Sequence, residues 1–251
     1  MSAPLLWLTA GLDPLVAAGL VAASFASSFI TVSLGIGGGV TLLAIMASLL
    51  PPAALIPVHG VVQLGSNGFR ALLLLKHVHW PPVISFALGS LVGVALGGWL
   101  VIDLPPGLVQ IGIGLFVIWS VAAKPPVWLS RAPWLTGGVA AFLTMFFGAT
   151  GPFVANFVKS LGLPRQSYVG THGTLMTLQH GLKIVTFGVL GFTFAPWIGF
   201  TLAMIAAGFL GTLAGRQLLF RMQEATFRTA LNVMLILVSI RLIGVGLYDL
   251  L

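Results

Sequence analysis

His59, Gln63, Ser66 and Arg70 stand at positions i, i+4, i+7 and i+11, so on a helix all four share one stripe. His172, Gln179 and Lys183 repeat this spacing, with Met176 in the remaining place. Asn67 and His180 lie beside the two stripes. Two faces that each carry a histidine, an amide and a cation suit the binding of an anion. Amides and hydroxyls donate hydrogen bonds, and Arg or Lys supplies the countercharge. The sequence holds only four acidic residues, all at the ends of its apolar segments. A Na⁺ or divalent-cation site draws on carboxylate and carbonyl oxygens, and the side-chain part of that supply is missing. The imidazole titration range would let His59 and His172 couple anion binding to a proton.

The elements that position these residues are apolar. Of 251 residues, 58% are hydrophobic and 6% charged, against about 25% charged in an ordinary soluble domain. Successive apolar runs long enough to span a bilayer predict an all-α polytopic membrane protein. The net charge of +7 comes from basic residues dispersed at segment ends, which points to membrane orientation and away from nucleic acid. With no cysteine, disulfide and thiolate chemistry are excluded. The first apolar stretch is flanked by Asp13 and reads as no signal peptide.

The sequence is broken at Gly35-Ile36-Gly37-Gly38-Gly39, where each glycine inside a helix would cost about 1 kcal/mol relative to alanine. The segment that follows, about 38–50, is too short to span and predicts a re-entrant piece. Gly148-Ala149-Thr150-Gly151-Pro152 starts a second such piece, about 152–163. Adding 113 to the residue number maps Gly35 onto Gly148, Gly38 onto Gly151, Pro51 onto Pro164, His59 onto His172 and Arg70 onto Lys183. Matches between residues this rare in the chain indicate an internal repeat.

Charge orients the two copies. Inverting the second places Lys76, Lys124, Arg131, Lys159, Arg165, Arg216, Arg221 and Arg228 on one side and Asp13, Asp103 and Asp249 on the other, as the positive-inside rule requires. The expected architecture is two inverted repeats, 1–123 and 133–251, joined by a cytoplasmic linker, 124–132. Each has four spanning helices plus one re-entrant segment, and both termini are periplasmic. Broken segments in inverted repeats place a transporter's site at the midplane, so both glycine breaks should border one cavity. Helix N-termini after Gly39 and Pro152 would turn unsatisfied N–H groups toward an anion. The predicted substrate-binding set is Gly37, Gly38, Gly39, His59, Gln63, Ser66, Asn67, Arg70, Thr150, Gly151, His172, Gln179, His180 and Lys183. The expected partners are a small anion and membrane lipid, with a homodimer allowed. Neither cofactor nor metal is expected.

Other readings compete at several positions. Arg70 and Lys183 are long enough to snorkel to opposite surfaces. His77-Val78-His79 offers two alternating ligands, which do not complete a metal site. Arg241 has no counterpart in the repeat and reads as a helix or subunit contact. Gly93 with Gly97, and Gly211 with Gly215, have the spacing of small-residue helix contacts.

The glycine turn Gly35–Gly39, the short segment after it, the Arg70 helix ending before Trp80 and the duplicated halves resemble the sulfite exporter TauE/SafE family, also called sulfonate uptake permeases. The resemblance covers most of the chain. It implies transport of sulfite or small organosulfonates across the bacterial inner membrane, here read as export. Two departures stand out: no proline follows the first glycines over 40–43, and the second copy keeps only the first and fourth glycine positions. The alternatives are a carrier for carboxylates or another solute, an intramembrane enzyme using His59, His172 and His180, and a non-transporting subunit.

Overall fold

The computed structural model describes residues 3–34, 37–101, 105–123, 132–218 and 224–251. Gly35, the linker 124–131, Asp103, Lys124, Arg131 and Arg221 lie outside the described residues, as do the side chains of Arg216 and Arg228. Every regular element among the described residues is helical. The order is α1 (Ala3–Thr9), α2 (Pro14–Leu34), α3 (Gly38–Ala47), α4 (Pro52–Leu73), α5 (Val83–Val101), α6 (Pro106–Ala122), α7 (Pro133–Phe147), α8 (Gly151–Ser160), α9 (Arg165–Val189), α10 (Ile198–Leu218) and α11 (Glu224–Tyr248). The residues before Asp13 contain the short helix α1, which packs on α10. Short 3₁₀ turns at Leu75–His77 and Ala195–Trp197 join α4 to α5 and α9 to α10.

Among the described residues, three segments are long and apolar enough to cross a membrane on those grounds alone: Pro14–Val32, Val83–Val101 and Ala195–Gly215. The helices α4 and α9 are also long, with 22 and 25 residues, but their polar stripes lower their mean hydropathy. Those stripes escape lipid because α4 and α9 pack on each other. Along the contact, Gly60 meets Lys183 and Ile184, Gly68 meets Thr177, Gly173 meets Arg70, and Gly170 meets Leu74. Numbers rise on one helix as they fall on the other, so the two run antiparallel.

The other extensive helix pairs are α2 with α10, α5 with α7, and α6 with α11. Within a membrane, apolar side chains gain little from leaving lipid, so close van der Waals packing across small residues holds helices together. A Cβ on Gly93 would collide with the Gly138 carbonyl, and one on Gly211 with the Phe25 carbonyl. The two small-residue pairs singled out in the sequence therefore lie at the α5–α7 and α2–α10 contacts. The ten-residue helices α3 and α8 fold back from turns at Pro51 and Pro164 onto α4 and α9. This brings Gly39 level with His59, and Gly151 level with His172.

Candidate anion site

Both helix breaks are set by backbone geometry. Gly37 caps α3 with φ 105°, and Gly148 ends α7 with φ 73°. L-residues with a Cβ rarely adopt such values, whereas glycine does so freely. Gly38 must also stay bare, because a Cβ there would overlap the Ser27 carbonyl and the Thr31 hydroxyl. Sequence and structure thus agree on why the first copy is so rich in glycine: it needs one residue for the turn and the next for close approach to α2.

A cavity of about 40 Å³ lies where the breaks meet α4 and α9, room for a few water molecules. Of the fourteen predicted site residues, nine line it: Gly37, Gly39, His59, Gln63, Asn67, Arg70, Gly151, His172 and His180. The remaining five sit behind it. Gly38 packs on α2. Ser66 is within hydrogen-bond distance of Ser28, 3.3 Å away. Gln179 donates to the Thr150 hydroxyl (2.8 Å), which donates in turn to the Ala140 carbonyl (3.0 Å). Lys183 donates to the Gly148 carbonyl at 3.0 Å. The lining also includes Thr31, Val40, Ala149, Pro152 and Met176, which the sequence reading did not select. Thr31 had a signal that was overlooked: it maps onto Thr144 in the 113-residue register, and each is four residues before a break glycine.

Hydrogen bonds hold the lining in place. His59 Nε2 faces the Gly39 carbonyl at 3.0 Å, and His172 Nε2 faces the Gly151 carbonyl at 3.4 Å. With Nε2 as the donor, a neutral imidazole leaves Nδ1 as an acceptor. Asn67 Nδ2 donates to the Gln63 carbonyl (2.8 Å) and to Gln63 Oε1 (3.1 Å), and Asn67 Oδ1 accepts from Arg70 Nη2 at 2.6 Å. The Asn67 amide therefore orients both the amide and the cation of its own stripe. Four buried polar atoms in or beside the cavity have no protein partner: His59 Nδ1, His180 Nδ1, Arg70 Nε and Gln179 Oε1. The rings of His59 and His180 meet edge to face, their centroids 6.1 Å apart.

Neither cation snorkels. Arg70 is 6% exposed and Lys183 fully buried. None of the chain's four acidic residues lies on α4 or α9. The N-termini of α3 and α8 border the same space, and each brings the partial positive charge of a helix start. No group of three or more His, Cys, Asp or Glu able to hold a metal occurs among the described residues. His77 and His79 lie at the surface end of α4, where the His79 N–H donates to the Thr171 hydroxyl at 2.8 Å.

A small space between two helix starts, with the Arg70 guanidinium in its wall, has the charge and size to accept a small anion. The sequence matches the family described as Sulfite exporter TauE/SafE over residues 20–242. The chain belongs to the TauE/SafE family. The match spans both helix breaks and the whole of α4 and α9. TauE/SafE is a transporter family and not an enzyme family, so the intramembrane-enzyme alternative falls away, as does the non-transporting subunit. Together with its apolar helices, membership makes the chain a multi-pass membrane transporter, with a small anion as its class of substrate. Searches of curated proteins and of solved structures found no match.

Proposed function

We propose that the chain carries a small sulfur-containing oxyanion, sulfite or an organosulfonate, outward across a bacterial inner membrane by alternating access around the cavity between α4 and α9. The observation that carries this reading is Arg70: a buried guanidinium lines the cavity with an amide oxygen as its hydrogen-bond partner and no acid on either central helix. A buried charge without a counterion is costly. An anionic substrate supplies the counterion, and the unpaired Arg70 Nε–H offers it a further donor. The cavity volume suits an oxyanion headgroup better than a bulky organic molecule.

The proposed architecture is two inverted halves, 1–123 and 133–251. The antiparallel packing of α4 on α9, whose sequences correspond by the 113-residue shift, supports it. The basic residues gathered at one set of segment ends in the sequence favour both termini in the periplasm and the linker in the cytoplasm. His59 and His172 are the groups through which a proton would be coupled, and a homodimer is compatible with the exposed apolar helix faces.

Purified protein in proteoliposomes tests the reading. Sulfite or a short alkanesulfonate should exchange across the membrane, and Arg70→Met should abolish that exchange. Flux of short carboxylates with no flux of sulfonates would replace the substrate class. Full flux in the Arg70 variant would remove Arg70 from the site. An imposed pH gradient that leaves the flux unchanged would remove the proton.

A further inference from the structure

Lys183 separates two cavities. On α9, His180 lines the central cavity, Lys183 follows one turn later, and Phe187, one turn further on, lines a second cavity of about 370 Å³. On α4 the order is the same in reverse: Gln63 lines the first cavity, Gly60 lies across from Lys183, and Ile56 and Pro57 line the second. A Cβ on Gly60 would come within 2.8 Å of Lys183 Cε, so the lysine stem fills the space between the helices at the level dividing the two cavities. The second cavity lies at the end where α4 begins and α9 finishes, and its lining is apolar. It therefore offers an anion passage and no resting place.

The lysine is also tied down. Its Nζ donates to the Gly148 carbonyl at 3.0 Å, and the Thr144 hydroxyl donates to the same oxygen at 3.0 Å. Gly148 ends α7 and directly precedes Ala149, which lines the central cavity. A cation at the C-terminus of a helix is favoured by the helix dipole. Its partner is a neutral carbonyl. A buried ion pair with a carboxylate would be strongly destabilised by the loss of either partner, but an arriving anion can displace a carbonyl and offer the ammonium a charged acceptor in exchange.

We propose that Lys183 is the latch of this transporter. Bound to Gly148, it closes the passage from the central cavity to the face at which α4 begins; released, it opens that passage and takes the anion as its partner. The proposal rests on the anion-transport reading for its ligand, but the latch itself is read without any transport measurement. The chain has no cysteine, so one introduced thiol reports accessibility without background. Met176→Cys places it in the lining of the central cavity, and a membrane-impermeant methanethiosulfonate is applied to sealed vesicles from each face in turn. Replacing Lys183 with Met should raise the labelling rate about tenfold from the face at which α4 begins, as expected for loss of a hydrogen bond made by a charged group. Labelling from the opposite face should stay unchanged, and Lys183→Arg should remain slow. Thr144→Val, which removes only the second bond to Gly148, guards against a misfolded Met variant and should shift labelling the same way by a smaller factor. Equal labelling with and without the latch, or a rise from both faces alike, overturns the proposal. Absent anion flux in the unmodified protein, with the labelling shift intact, would overturn the transport reading and leave the latch standing.

Discussion

The two helix breaks are built on one plan and finished differently. Each holds a glycine with positive φ, Gly37 as the N-cap of α3 and Gly148 at the end of α7; a ten-residue helix follows, and a histidine from the next long helix faces a carbonyl near its start. In the first copy the stripe continues through Gln63 and Asn67 to Arg70, and all of these line the cavity. In the second, Met176 takes the place of Gln63, Gln179 turns away to Thr150, and Lys183 turns away to Gly148. The two breaks thus share residue types at one spacing, while the polar chemistry of the cavity comes mainly from α2 to α4. Of the two corresponding cations, Arg70 faces the cavity and Lys183 is held by the Gly148 carbonyl beside it.

The comparison is broken most directly at Arg70. Arg70→Met should lower sulfonate exchange by about tenfold or more, the scale of a lost charged hydrogen bond in a buried site. A conservative exchange to lysine should recover only part of it, because the ammonium lacks the planar fork of donors. Proteoliposome flux measures both. A loss in Lys183→Met as large as in Arg70→Met, with a matching loss of anion affinity, would mean that both cations contact the anion in the same state.

The next effect in size is on the frame itself. Gly37→Ala places a Cβ on a residue with φ 105° and should cost on the order of 1–3 kcal/mol, seen as a lower melting temperature in detergent. Gly148→Ala adds to its own strain a contact of 2.7 Å with Leu43 Cδ1. The second glycine should therefore be at least as sensitive as the first, and an unchanged melting temperature in both variants would show that the breaks are not held by glycine.

Met176→Gln sharpens the comparison from the other side by restoring the symmetric amide. It adds a donor to the cavity and gives up some apolar packing of the thioether, so flux should persist while KM for the anion changes by about a few-fold, the scale of one net hydrogen bond. The smallest effect is expected at Ser66. Its hydroxyl lies behind the cavity, at 3.3 Å from Ser28, and Ser66→Ala should change flux less than about twofold, since a long neutral hydrogen bond contributes little.

Much of this was legible in rare residues. Histidine, lysine, arginine and clustered glycine are scarce in a chain that is 58% hydrophobic, so their recurrence at one spacing stands out. The 113-residue register maps Gly38–Ala47 of α3 onto Gly151–Ser160 of α8, with the same boundaries in the structure. The parts that escaped notice involve common residues. Thr31, Val40, Ala149 and Met176 line the cavity, yet threonine and apolar residues recur throughout the helices and nothing in their spacing singles them out. The helix α1 was also missed, since seven residues are too few to display a period.

The sequence by itself determined the class of protein, the recurrence of glycine, histidine and cation at a 113-residue spacing, and their helical stripes, because hydropathy, glycine clusters and helical spacing are local properties of the chain. It left open whether Arg70 and Lys183 reach the surface or stay inside, and which of the two faces the cavity. Only the tertiary structure decided that, through the antiparallel contact of α4 with α9 and the position of the Gly148 carbonyl. A side chain's partner depends on what the fold brings within about 3 Å of it, and for Lys183 that is a carbonyl 35 residues away.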